Sequence, residues 1–229
     1  MMDKKRSSGW FLLMLFAAVI TTCYAMSYIV AAPWHVMPQL GGDGGKNVYT
    51  FLYHILYDKG FWFSGMNYPF GEHIVYADGQ SLLSVPLSYF KSTTISQAFT
   101  IMWYGIVFSY LLSVVYCYLL LTRLKVAPLL SILFALLITF CAPQVIRISG
   151  HYALAYMCVI PMLIYWTLCY SQSQNKKYAV YFLLCGVAMS FMHPYYAAMI
   201  LIFVCCYTCL LYTSPSPRDR TRSRMPSSA

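Results

Sequence analysis

Acidic side chains are almost missing from this chain: Asp and Glu together number six in 229 residues, and charged residues of both signs make up 9%. A soluble domain usually carries about a quarter charged residues, so this composition sets a soluble fold aside. The nine cysteines all fall inside apolar segments, with none in the long polar stretch, and so read as small buried hydrophobes instead of disulfides or zinc ligands. A basic face for nucleic acid is missing too. The formal charge is +9, but Arg218, Arg220, Arg222 and Arg224 crowd the last dozen residues.

What the chain has in abundance is apolar length, at 60% hydrophobic residues. A short basic start with Lys4, Lys5 and Arg6 precedes residues 10–31, about 22 mostly apolar residues and enough to cross ~30 Å of hydrocarbon. A cleaved signal peptide is the rival reading; its apolar core is usually shorter, about 7–15 residues, and Ala31-Ala32-Pro33 makes a poor cleavage site. Five more apolar tracts follow at about 99–121, 126–146, 152–170, 178–192 and 195–211, joined by short connections. The expected fold is an all-α polytopic membrane protein with about six transmembrane helices and a long first outer loop, 32–97. Positive charge sets the orientation: with a cytoplasmic N-terminus the inner stretches hold seven Lys and Arg and the outer ones four, Lys46, Lys59, Lys91 and Arg147.

Four of the six acids, Asp43, Asp58, Glu72 and Asp78, lie in the 32–97 loop. Within it, Val48, Phe51, Leu52, Ile55 and Leu56 recur at helical spacing, which predicts an amphipathic helix over 47–58 with Asn47 near its N-cap. Residues 60–80 read as irregular, with turns at Asn67-Tyr68-Pro69-Phe70-Gly71 and Asp78-Gly79. All five histidines, at 35, 54, 73, 151 and 193, fall on the outer side with these acids. Almost every group able to do acid–base or metal chemistry thus shares one compartment.

Asp43 stands out because a glycine pair flanks it on each side, giving a backbone free to take positive φ and to approach a ligand closely. A solvated aspartate in a flexible loop is the plainer alternative. Lys46 and the first amides of the following helix would offer positive potential to a phosphate. Glu72, His73 and Asp78 lie within seven residues, a set suited to metal ligation or to a hydrogen-bonded acid–base group. Arg147 and His151 sit at the mouth of a span, where a charge is usually placed for a partner or snorkels to the surface. His193, before Pro194, occupies a similar position.

Residues 209–229 turn abruptly polar at Ser214-Pro215-Ser216-Pro217-Arg218. They resemble translated sequencing-adapter read-through, which implies a membrane domain at 1–208, a disordered artefactual tail at 209–229, and a natural protein that continues further. A basic tail attracted to anionic lipid is the alternative.

One span, an outer loop with an early aspartate and an amphipathic helix, then many spans with short loops resembles the GT-C superfamily of integral-membrane glycosyltransferases. The residues carrying the likeness are Gly42-Asp43-Gly44, Asn67-Tyr68-Pro69-Phe70-Gly71-Glu72 and Gly150-His151. The resemblance implies that Asp43 is the catalytic base or helps hold a divalent metal, Mg or Mn, with Asp78 as the other candidate ligand. It also implies a sugar donor on a polyprenyl phosphate; by their charge, Lys46 and Arg147 are expected to hold the departing phosphate of such a donor. Glu72, His73, Asp78, His151 and His193 are the further substrate-binding candidates. The expected place is the bacterial inner membrane, within the cell envelope, with the active face outside; the partners are the lipid-linked donor and membrane lipids, not nucleic acid. A polytopic transporter or lipid flippase without transfer activity is the other reading, and a noncatalytic membrane assembly protein a third.

Overall fold

The computed structural model describes residues 4–36, 42–90 and 92–213. Lys91 and Gly41 fall outside them, as does most of the expected tail. Helix α1 (Lys4–Ala25) is followed after a break at Met26 by α2 (Ser27–Ala31) and a 3-10 turn, Pro33–His35. The expected first span therefore ends in two pieces, and Pro33 stops it because the residue before a proline is driven out of the helical region. Next come α3 (Asp43–Tyr57), a two-residue hairpin of β1 (Trp62–Phe63) and β2 (Glu72–His73), and α4 (Ser81–Leu87). The strands pair antiparallel, Trp62 opposite His73 and Phe63 opposite Glu72. The turn expected at 67–71 is present, with the Asn67 carbonyl accepting from the amides of Phe70 and Gly71.

Helix α5 (Ile95–Arg123) is the axis of the molecule. Thr94 caps it by accepting from the Gln97 amide, while the Gln97 side chain accepts from the Thr94 amide, which satisfies two otherwise orphaned donors. Its buried side is lined by Trp103, Ile106, Tyr110 and Val114. Helix α6 (Pro128–Phe140) leads into a 3-10 segment, Pro143–Ser149, and a short 3-10 turn, Tyr152–Leu154; α7 (Val159–Ser173), α8 (Lys176–Met192) and α9 (Pro194–Thr213) complete the chain. Helices α1, α6 and α7 pack on α5, and α8 joins α7 to α9. A buried Ser113–Thr139 hydrogen bond of 3.0 Å ties α5 to α6.

Among the described residues three stretches are long and apolar enough to cross a membrane, Ser8–Ala25, Ile95–Arg123 and Tyr152–Ser173; a fourth is reached if α6 and Pro143–Ser149, bent by 42°, count as one. Helix α8 has 17 residues and opens on Lys176 and Lys177, and the apolar part of α9, Pro194–Leu210, is likewise short. The fold is thus mostly helical, with helices long and apolar enough to cross a membrane, fewer among the described residues by length alone than the six expected. The cysteines correct another expectation: Cys117, Cys158 and Cys169 are buried, but Cys23, Cys141, Cys205, Cys206 and Cys209 are exposed. Apolar sequence marks burial in lipid as well as in protein, so a cysteine in such a run need not reach the core. Cys209 to Thr213, placed with the tail by sequence, continue α9.

Candidate functional site

Helix α3 starts four residues earlier than expected. Asp43 is its first residue, and the whole Asp43-Gly44-Gly45-Lys46 run is helical. The glycines serve two different ends. Gly42 takes φ +55°, the left-handed turn into the helix, whereas Gly44 is buried beside Gly150, whose added Cβ would lie 3.9 Å from the Gly44 nitrogen, an ordinary contact. Asn47, expected as the cap, is instead buried one turn in, donating to the Asp43 carbonyl at 2.9 Å and accepting from the Ala153 amide at 3.5 Å. It pins the start of α3 onto the Tyr152–Leu154 turn. A carboxylate at the first helical position is favoured there by the unpaired amides of that turn.

This docking brings Asp43 to the segment that carries Arg147 and His151. Nε2 of His151 lies 3.4 Å from Oδ2 of Asp43, whose side chain is 65% exposed. The His151 amide donates to the Arg147 carbonyl at 2.8 Å, so one tight turn carries both residues. Asp43, Arg147, Ser149 and His151 wall a cavity of about 550 Å³, closed on its apolar side by Pro143 and Ile146. Among the described residues Arg147 has no ion pair. One acid, one imidazole and one uncompensated guanidinium therefore face a common space.

Lys46, one turn along α3, is held by a different partner. Its Nζ lies 2.9 Å from Oδ2 of Asp78, and Nε2 of His193 lies 2.8 Å from Oδ1 of the same carboxylate. Nδ1 of His193 accepts from the Tyr195 amide at 3.0 Å, so the proton of the neutral ring sits on Nε2 and points at Asp78. Burial pushes the Asp78 carboxyl up, but the hydrogen bonds from His193 and Lys46 outweigh it and hold the group below the usual aspartate range. The hydrogen bond to Asp78 correspondingly raises Lys46 against its own burial. Asp78 adopts φ +61° at the expected Asp78-Gly79 turn. The cluster clamps α3, this turn and the α8–α9 break together.

Glu72 and His73 stay apart from both groups. Glu72 accepts from the Asn67 side chain within the hairpin, and His73 stacks on Phe61 with centroids 5.2 Å apart. The expected Glu72–His73–Asp78 set is not assembled. Nor do Asp43 and Asp78 form a divalent-metal pair: Asp78 is taken up by Lys46 and His193, leaving the cavity a single carboxylate. Among the described residues no group of three or more His, Cys, Asp or Glu side chains is placed to hold a metal ion. This donor set does not fit a preformed Mg or Mn site.

Some residues that shape the site were not singled out from sequence. Gln144 donates to the carbonyls of Leu154 and Tyr156 at 2.8 and 3.2 Å, fixing the bend after α6. A lone amide after a proline in an apolar tract was the available signal. Buried Gln80 accepts from the Tyr156 hydroxyl at 2.9 Å, and His54, fully buried on α3, hydrogen-bonds through Nε2 to the Gly60 carbonyl at 2.9 Å. At the far end of α5, Arg123 donates to Gln172 at 2.8 Å and approaches Cys169. The rise of a 29-residue helix puts this basic group roughly 40 Å from the Asp43 end.

A family model described as a domain of unknown function, DUF6311, matches residues 13–225, and the chain belongs to that family. No curated protein and no solved structure matches it.

Proposed function

We propose that this member of the DUF6311 family is a membrane glycosyltransferase of the GT-C type, which moves a sugar from a polyprenyl-phosphate donor to an acceptor hydroxyl at the outer face of the bacterial inner membrane. In this reading all six apolar segments cross the bilayer, the short α8 and α9 by local thinning or snorkelling of their ends. The observation that carries it is the shared cavity of Asp43, His151 and Arg147 at one end of the bundle.

An unassisted alcohol is a weak nucleophile, so the Asp43 carboxylate takes the acceptor proton as the acceptor oxygen bonds to sugar C1. The bond between C1 and the phosphate oxygen breaks, and its electron pair leaves with the phosphate. Arg147 meets the charge growing on that phosphate, and its planar fork suits the task. His151 orients the Asp43 carboxylate from 3.4 Å. In this reading Lys46 and His193, both paired with Asp78, hold the site's frame. The test is Asp43→Asn in the full-length protein, assayed for sugar transfer; wild-type turnover would remove the role given to Asp43.

A transporter or flippase is the second reading, favoured by the 42° bend between α6 and the segment bearing Arg147. Donor-dependent sugar release by the purified protein separates the two.

A further inference from the structure

The far end of α5 has the opposite charge balance from the Asp43 end. All four acids among the described residues lie between α2 and α4, whereas Arg123 and Lys125 follow the axis helix and Lys176 and Lys177 open α8. Among the described residues none of these four cations has an ion pair. Arg123 is half-buried, held by the Gln172 side chain of α7 at 2.8 Å and facing the Cys169 sulfur, so the two basic connections meet. A guanidinium drawn out of water without a carboxylate is costly, and an anion arriving from outside relieves it. Arg123 and Ser173 end two of the stretches long enough to cross a membrane, which sets this cluster at the level of lipid headgroups.

Between the cations the surface is aromatic. Arg123 lies 5.8 Å over the Tyr165 ring and Lys177 4.9 Å over the Tyr178 ring. Trp166 joins the two, edge-on to Tyr165 with centroids 4.9 Å apart and stacked on Tyr178 at 6.0 Å. Rings with one apolar end and one wet end suit the boundary between hydrocarbon and water. Trp166 and Tyr178 also wall a cavity of about 130 Å³ between α7, α8 and α9, closed by Phe182, Phe203 and Tyr207 and lined by no charged residue. Beside it α8 leaves Val180, Leu183 and Leu184 exposed, a face for acyl chains. We infer that this end binds one anionic phospholipid, its acidic head among Arg123, Lys176 and Lys177 and one acyl chain against Trp166 in the cavity. In the orientation set by the loop charges this is a lipid of the inner leaflet. Charge complementarity selects an acidic head, because a zwitterionic one would bring a further cation to a place that already holds four. The site lies at the other end of α5 from Asp43 and stands without the sugar-transfer reading.

Trp166 reports the binding directly. The full-length protein is placed in phosphatidylcholine vesicles containing phosphatidylglycerol brominated on its acyl chains, or brominated phosphatidylcholine as the reference, since bromine quenches a tryptophan that it touches. The difference between wild type and Trp166→Phe isolates the signal of this residue. Brominated phosphatidylglycerol should quench it at a mole fraction about tenfold lower than brominated phosphatidylcholine. Lys176 and Lys177 are exposed, and their joint replacement by Gln should remove most of that preference, each lysine contributing up to about fivefold. Ala179→Leu fills the cavity, keeps every charge and should abolish the quenching by the acidic lipid. Equal quenching by the two lipids, a preference that survives the double lysine variant, or full quenching in Ala179→Leu would mean ordinary surrounding lipid and overturn the assignment. A Trp166 signal shielded from both lipids would mean that a protein surface covers this face, and would overturn it as well.

Discussion

Asp43 and Asp78 stand at the same end of the bundle, linked through one turn of α3, yet their surroundings differ completely. Asp78 is closed: its side chain is 22% exposed, and both oxygens are taken, by His193 at 2.8 Å and Lys46 at 2.9 Å. Asp43 is open, at 65% exposure, with a single imidazole contact at 3.4 Å and a cavity in front of it. A carboxylate whose lone pairs are all engaged by its own protein holds structure together. One with acceptor capacity left can serve a substrate.

The comparison can be broken most directly at Asp43. Asp43→Asn keeps the size and removes the base, so transfer should fall about 10²–10⁴-fold, the usual worth of a general base, with the melting temperature unchanged. Arg147→Gln should follow, with a loss of about 10²-fold, the scale of removing one donor from a developing anion, again without loss of stability. Asp78→Ala should do the opposite. It strands His193, whose side chain is only 10% exposed, and should cost about 1–3 kcal/mol in a denaturation experiment, while turnover per folded molecule changes little.

The smallest effect concerns pH. Burial lowers His54 below its usual value, against the opposing hydrogen bond to Gly60. A depressed folded value means the stability is present above the unfolded value of 6.5 and is lost as pH falls below it. Melting should therefore drop slightly between pH 7 and pH 5, and His54→Gln, which keeps a donor for Gly60, should flatten that slope. Asp78 adds its own loss only in stronger acid, below the ordinary value of 3.8, and Lys46 only in alkali above 10.5.

Much of this arrangement was legible in the sequence. Periodicity gave the apolar face of α3, glycine and proline marked the hairpin turn, and the loop charges correctly grouped Asp43, Arg147 and His151 at one end. The start of α3 was misplaced because glycines usually signal a loop, and nothing local shows that Gly44 is buried beside Gly150 in the first turn of the helix. Partner choice was hidden for a similar reason. Lys46 is three residues from Asp43, but its mate Asp78 is 32 residues away, beyond a hairpin, and His193 comes from the other end of the chain. Sequence proximity likewise suggested a Glu72–His73–Asp78 set that the strand register and the φ of Asp78 pull apart.

The central claim is that Asp43 does chemistry and Asp78 does not. It is tested by purifying the full-length wild type, Asp43→Asn and Asp78→Asn, then measuring sugar release from a polyprenyl-phosphate donor alongside thermal melting. Loss of turnover with an unchanged melt in Asp43→Asn, and a lowered melt with turnover retained in Asp78→Asn, is the predicted result. Wild-type turnover in Asp43→Asn would contradict it.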